Sequence, residues 1–363
     1  MTRIVNDRRA LHAIAELEWN LPRTAEYVKT ALHALNCRVF SPVDTAVCAF
    51  FDFGADHSIA FRADMDALPI EEKTGAAYAS TTPGIMHACG HDGHMAILLE
   101  LARRLNEKEK LPHNVLLIFQ PAEETTGGAK PICDAGVLEQ YKVQAVFGLH
   151  LWPGLPAGRM FSRANELMSR SNEVTVDIYG KSAHIAKAAE GLDALMAGCE
   201  FYRRAVEMEQ SLPENVYRLL KFGKFQSGTV RNALSNHTHI EGSLRVFQDN
   251  IHEQMKEALY RIAGEIRSET GCAVEITISS GYPAVWNPEE LCRRVAAAVP
   301  YETIPEPSMT SEDFSWYQRF APGMFFFLGL GDVPALHTDT FDFDETILEK
   351  GAQFFEKLAV NFR

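Results

Sequence analysis

Eight consecutive residues, His87-Ala88-Cys89-Gly90-His91-Asp92-Gly93-His94, hold three histidines, a cysteine and an aspartate. A thiolate and an imidazole two residues apart suit a borderline transition ion such as Zn²⁺, Mn²⁺, Co²⁺ or Ni²⁺. Gly90 and Gly93, on either side of His91, allow the tight backbone path that brings such side chains onto one ion. Zinc-finger spacing is not met, because no second Cys/His pair follows the first. The remaining ligands therefore come from distant parts of the chain, and the fold has to gather them as catalytic sites do.

Three short apolar runs can deliver them. Val115-Leu116-Leu117-Ile118-Phe119 reads as a buried strand and leads into Gln120-Pro121-Ala122-Glu123-Glu124. Ala145-Val146-Phe147-Gly148-Leu149 ends in His150, before Leu151-Trp152-Pro153, and Met324-Phe325-Phe326-Phe327-Leu328 continues through glycines to Leu336-His337. Glu123, Glu124, His150 and His337 thus fall at or beyond the C-terminal ends of strands. Open α/β sheets carry their active sites at that edge.

The first half of the chain alternates helical and strand-like segments. A helical pattern covers 7–34, strand-like runs cover 45–53 and 58–63, and a helix opens near Gly93 with Met95, Ile97, Leu98, Leu99 and Leu101 on an apolar face. The alternation predicts an α/β protein with a central mixed sheet flanked by helices. From about 162 to 172 the sequence turns polar, and its character then changes. Glu173-Val174-Thr175-Val176-Asp177-Ile178-Tyr179 alternates wet and apolar residues, as does Thr238-His239-Ile240-Glu241-Gly242-Ser243-Leu244-Arg245-Val246, so both read as strands with one solvated face. Helical patterns over 192–211 and 250–270 and a last strand over 273–279 complete a smaller α+β unit inserted into the first. The domain reading is 1–170 for the first part of a catalytic domain, 171–280 for the insert and 281–363 for the second part.

A length of 363 residues accommodates two domains and a substantial core. The formal charge of −13 and the lack of a basic run argue against a nucleic-acid partner. No apolar stretch approaches the ~20 residues that span a bilayer, and Met1-Thr2-Arg3-Ile4-Val5-Asn6-Asp7 lacks the apolar core of a signal peptide. Seven scattered cysteines do not form a disulfide framework. These features together give the expectation of a reduced, cytoplasmic protein.

Arg8-Arg9-Ala10-Leu11-His12, Phe61-Arg62-Ala63-Asp64-Met65-Asp66-Ala67-Leu68-Pro69, the Cys-Gly-His-Asp block, Gln120-Pro121-Ala122-Glu123-Glu124, Gly148-Leu149-His150, Ser311-Glu312-Asp313-Phe314 and Leu336-His337 follow one another over nearly the whole chain. In these stretches, and in their order, the chain resembles the amidohydrolase branch of the co-catalytic metallopeptidase clan. That branch includes hippurate hydrolase, auxin-conjugate hydrolases and N-acetyldiaminopimelate deacetylase. The resemblance implies two divalent ions per chain, Mn²⁺ or Zn²⁺ before Co²⁺ or Ni²⁺. It implies Cys89, His91, Glu124, His150 and His337 as their ligands, Glu123 as general base and Asp64 as an active-site residue. It also implies that the insert serves as a lid and dimerisation domain. In it, Gly180-Lys181-Ser182-Ala183-His184 matches a segment whose histidine reaches a substrate carbonyl across the dimer, and Asn232 and Arg245 match positions near a substrate carboxylate. Arginine suits that task because its fork donates two parallel hydrogen bonds.

Each residue also has a plainer reading. Cys89 can be a thiol nucleophile with a histidine base, although that leaves the distant ligand-type residues unexplained. His91 can be a turn histidine, Glu123 and Glu124 a pair capping a turn, Asp64 and Asp66 turn aspartates, and Asn232 and Arg245 parts of a solvated face. His87 and His94 fall outside the implied ligand set and suit outer hydrogen bonding. Two departures from the family pattern stand out. Ala188-Ala189 replaces a Pro-His pair after His184, which bears on substrate preference, and Ala15 replaces the proline before Glu16-Leu17.

The expected activity is hydrolysis of the amide bond of a small N-acyl, often N-acetyl, amino acid by a homodimer that needs neither nucleic acid nor membrane. The alternatives are a dipeptidase or carboxypeptidase with the same two ions, and a non-catalytic binding protein on the same fold.

Overall fold

The computed structural model describes residues 2–363. The chain forms two compact units, one of Met1–Leu167, Val285–Pro307 and Glu312–Arg363, the other of Met168–Ala284 and Ser308–Ser311. In chain order the strands are β1 (Arg38–Phe40), β2 (Val47–Phe51), β3 (Ser58–Asp64), β4 (Asn114–Gln120), β5 (Val143–Pro153), β6 (Met160–Ser162), β7 (Asn165–Met168), β8 (Arg170–Tyr179), β9 (Arg218–Ser227), β10 (His237–Val246), β11 (Ala273–Ile278), β12 (Val285–Asn287), β13 (Glu302–Thr303) and β14 (Gly323–Gly331). β7 and β12 pair as a separate ribbon.

Among the described residues the first unit is built on an eight-stranded mixed sheet in the order β1-β2-β4-β3-β5-β14-β6-β13. Its centre, β4-β3-β5-β14, is parallel, so four strands point their C-terminal ends to one edge. β3 and β4 are buried along their whole length. Parallel strands covered on both faces tend to unbroken apolar runs for that reason, as β4 shows over 115–119, whereas β3 carries the buried charges of Arg62 and Asp64. The helices Arg3–Ala13, His91–Asn106 and Leu348–Asn361 pack together, sharing a core in which Leu11, Leu98 and Leu358 join Phe61, Leu117, Phe147 and Phe326.

Two expectations change in detail. The single helix over 7–34 is two helices, Arg3–Ala13 and Pro22–His33. Proline clashes with a helical residue before it, and Leu21 accordingly takes φ −116°, ψ 44°. β5 does not end at His150 but runs on to Pro153, because β14 pairs along it with His150 opposite Phe327 and Leu151 opposite Leu328.

The second unit holds an antiparallel sheet in the order β11-β8-β10-β9. Its apolar face (Val174, Val176 and Ile178 on β8, Ile240 and Leu244 on β10) packs in one core with Phe201 of the helix Ala194–Gln210 and Leu259 and Ile262 of the helix Asp249–Thr270. β9 has no counterpart in the sequence reading. Only one of its ten residues is buried, so it shows no regular apolar alternation.

Candidate active site

The parallel centre of the first unit's sheet gathers the ligand-type residues at its C-terminal edge. Gly90, at φ 83°, ends the incoming chain in a left-handed turn and the helix starts at His91. Cys89 and His91 are thereby fixed at the helix N-terminus. Pro121 to Glu124 follow β4, with Ala122 at φ 58°, and His337 lies beyond β14 at φ 63°. Both are non-glycine residues in the left-handed region, where strain of roughly 1–3 kcal/mol persists only if the surroundings hold it.

Cys89 Sγ lies 3.3 Å from His150 Nε2 and 3.3 Å from His337 Nε2. Glu124 Oε1 is 3.3 Å from His337 Nε2 and 3.7 Å from His91 Nε2. The donor atoms fall into two groups that share the thiol, Cys89 with His91 and His150, and Cys89 with Glu124 and His337; Glu123 joins His91 and Glu124 in a further group.

Hydrogen bonds set how these imidazoles are presented. His91 Nδ1 donates to the Asp66 carbonyl at 2.8 Å and His150 Nδ1 to the Leu151 carbonyl at 2.7 Å, which turns both Nε2 atoms inward, as outer partners of metal-bound histidines do. His94 accepts from the Leu151 amide at Nε2 (2.9 Å) and so donates from Nδ1 to Asp64 at 2.6 Å. Asp64 faces the inner side of His91, 3.6 Å from Nε2, and is also bonded by Arg62. The Nδ1–H of His91 thus goes to the backbone of Asp66 and not to the Asp64 carboxylate.

The two adjacent glutamates are pushed apart. Burial, with Glu312 and Glu124 near, holds the Glu123 carboxyl well above the usual carboxylate range. Burial acts the same way on Glu124, but the proximity of His337 and His91 outweighs it and brings that carboxyl to about 2. Titratable neighbours driven in opposite directions are how one site holds both an acid–base group and a permanent anion. Burial beside Glu124 and Glu123 also drives the Cys89 thiol up, against the thiolate that a soft ligand must be.

Divalent ions fit these residues. His91 Nε2 and Glu124 Oε1 are buried without a hydrogen-bond partner, at a cost of about 1–3 kcal/mol each if nothing compensates. Cationic charge would also reverse the pressure on the Cys89 thiol.

Several contributors were not assigned from sequence. Asp66 accepts the backbone N–H groups of Glu123 (2.9 Å) and Glu124 (3.0 Å), one on each carboxylate oxygen, and so clamps the turn that aims the pair. Arg62, fully buried, joins Asp64, Glu312 and Asp313 at 2.9, 3.0 and 2.8 Å. Gln120 donates to Asp313. The available signal was register, since Arg62 and Asp64 share one face of β3 and Asp64 pairs with Gln120. His87 is buried with neither ring nitrogen bonded, and burial lowers it to about 3.

His184, Asn232 and Arg245 belong to the second unit. His184 is exposed and its Nδ1 accepts from the Ala186 amide at 3.2 Å. Its backbone bridges to Ala233, and the Ile185 amide donates to the Asn232 carbonyl, so His184 and Asn232 lie on paired segments. Arg245 is half-buried and donates to the Met309 carbonyl at 2.5 Å, a bond internal to its own unit.

The chain is similar over nearly its whole length to several known proteins. The model of peptidase family M20/M25/M40 matches residues 60–361. An uncharacterized hydrolase of Staphylococcus haemolyticus is 33% identical over 374 residues, covering 99% of this chain and 98% of its own. The crystal structure of a dinuclear metal-binding M20 peptidase from Bacillus subtilis is similar at 31% identity and a TM-score of 0.86, covering 98% of this chain and 96% of that one. A solved structure from methicillin-resistant Staphylococcus aureus has 27% identity and a TM-score of 0.91, covering 98% and 95% of the two chains.

Proposed function

Because the chain belongs to peptidase family M20/M25/M40 and is an enzyme of the metallopeptidase type, we propose that it hydrolyses the amide bond of small N-acyl, often N-acetyl, amino acids. The observation that carries the metal chemistry is the pair of donor groups sharing Cys89, with Glu123 beside them. In this reading Cys89, His91, Glu124, His150 and His337 hold two divalent ions, Mn²⁺ or Zn²⁺ before Co²⁺ or Ni²⁺. Bound ions polarise the amide carbonyl and make water a nucleophile near neutral pH. Asp66 keeps Glu123 aimed into the site, Glu123 takes the proton of the attacking water, and the same carboxyl returns it to the departing amine. Asp64, fixed by Arg62 and His94, balances the charge on the inner side of His91.

The second unit completes the reading as the family resemblance has it. His184 donates to the developing oxyanion, worth about 10²–10³ in kcat for such a donor, and Asn232 and Arg245 receive the substrate carboxylate. We infer a homodimer formed through this unit, with His184 acting in the partner's site. Support comes from exposed Leu195, Met196 and Tyr202 on one helix and Phe225 on the edge strand β9, since an unpaired strand edge invites a second copy.

A peptidase reading is favoured by one observation, the Bacillus subtilis relative's description as a peptidase. A panel of N-acyl amino acids and dipeptides, assayed with the Mn²⁺, Zn²⁺, Co²⁺ and Ni²⁺ forms, separates the two. The proposal expects N-acyl amino acids to be preferred by kcat/KM; consistent preference for dipeptides overturns it.

A further inference from the structure

On the polar face of the second unit's sheet, two histidines and an aspartate converge. His237 and His239 are two residues apart on β10 and therefore on one face. Asp177, on the adjacent strand β8, stands in register with His239. His237 Nε2 and His239 Nδ1 each lie 2.8 Å from the same oxygen, Asp177 Oδ1, and the three donor atoms meet the spacing of a shared ion. None of these residues belongs to the catalytic unit.

Groups around the cluster hold both imidazole rings in place. His239 presents Nδ1 to the cluster while its Nε2 lies 2.7 Å from Glu241 Oε1, and Glu241 is itself bonded by Lys224 at 2.9 Å. A ligating histidine ordinarily gives its second ring N–H to such an anchored carboxylate, which fixes the ring and raises its basicity. The His237 ring is held differently, stacked on Tyr179 with centroids 4.9 Å apart and planes 17° from parallel. Both imidazoles are thus oriented by groups outside the triad. The face is partly open, with side-chain exposures of 44%, 23% and 25% for His237, His239 and Asp177, which leaves room for water to complete a coordination sphere.

We propose that His237, His239 and Asp177 form a separate divalent transition-metal site that ties β8 to β10. Two imidazoles and one carboxylate, without a thiolate, select Zn²⁺, Ni²⁺, Cu²⁺ or Co²⁺ over Mg²⁺, Ca²⁺ or Mn²⁺. Entry of the ion displaces the proton on each ring nitrogen that faces Asp177, to solvent from a cationic ring or to the far ring nitrogen of a neutral one, so the ion and protons compete for the two ring nitrogens. Binding to the folded sheet alone stabilises it by mass action.

The test is equilibrium dialysis of the full-length protein against Zn²⁺, followed by elemental analysis, for the native chain, His237→Ala/His239→Ala and Asp177→Asn. The double variant is expected to hold about one Zn²⁺ per chain fewer than the native chain, and Asp177→Asn to bind that ion about tenfold more weakly or worse. The same difference is expected in a Cys89→Ser background, which separates this site from the catalytic ligands. Zn²⁺ should also raise the melting temperature of the Cys89→Ser chain more than that of the same chain lacking both histidines. Equal Zn²⁺ content in the native and variant chains, each folded by circular dichroism, overturns the proposal.

Discussion

The molecule carries two clusters of histidine and carboxylate, and their residue types overlap more than their surroundings do. Around Cys89 most donors are buried, with side-chain exposure of 0% for His91 and 11% for Glu124, His337 alone being half exposed, and two of the polar atoms lack a partner. Around Asp177 the side chains are a quarter to nearly half exposed, and the nitrogens that converge there already bond to carboxylates. Exposed ion pairs are worth about 0–1 kcal/mol, so that face folds with or without an ion. An orphaned buried donor or acceptor costs about 1–3 kcal/mol, so the first cluster calls for a cation. Burial, more than the choice of side chain, separates a required metal centre from an optional one.

The comparison breaks first, and with the largest effect, at the glutamate pair. Glu123→Gln should lower kcat by ~10²–10⁴ while metal content, read by elemental analysis, stays near normal. Glu124→Gln should instead lose metal. The reverse pattern would mean that the roles of the pair are interchanged.

The second unit enters the chemical step in this account through His184, while Asn232 and Arg245 only hold the substrate carboxylate. His184→Ala should cost about 10²–10³ in kcat without changing metal content. Mixing that inactive chain with inactive Glu123→Gln should restore activity, because one site of the heterodimer then has Glu123 from one chain and His184 from the other. Subunit exchange without recovery would place His184 in its own chain's site or outside catalysis.

A smaller effect concerns stability in the first unit alone. His12 is buried between Asp92 (2.8 Å) and Glu72 (3.2 Å). Burial pushes its pKa down, but the two carboxylates prevail and raise it from 6.5 to about 9. A histidine whose pKa is raised by folding contributes stability that is fully present below 6.5 and lost as pH rises through about 9. The denaturant midpoint of the native chain should therefore fall across that window. His12→Gln should be less stable at the lower end and nearly flat across the window; parallel slopes for the two chains would remove His12 from the account.

What was legible in the sequence follows the same division. Cys89 and His91 stand out because a helix N-terminus compresses them into one short block. Glu123, Glu124 and His150 stand out because they follow or end unbroken apolar runs, which fully buried parallel strands produce. β9 was invisible because an exposed edge strand needs no apolar alternation. The break before Pro22 was written in the sequence as a proline, but the helical spacing on both sides concealed it. Asp66 could be read as a turn residue or a histidine's partner. Its actual role, clamping the amides of two residues more than fifty positions away, depends on how β3 and β4 are paired. Arg62 with Glu312 and Asp313 was hidden for the same reason, as no local pattern announces a salt bridge spanning 251 positions.

The most direct test of the central claim is the Mn²⁺ content of the active enzyme, measured beside kcat before and after chelation. Mn²⁺ is the weaker ion for the exposed imidazole cluster, so it reports chiefly on the buried one. The account predicts about two ions per chain, activity lost on chelation and recovered when Mn²⁺ is returned. A metal-free chain that keeps its activity would contradict it, and would restore Cys89 as a thiol nucleophile.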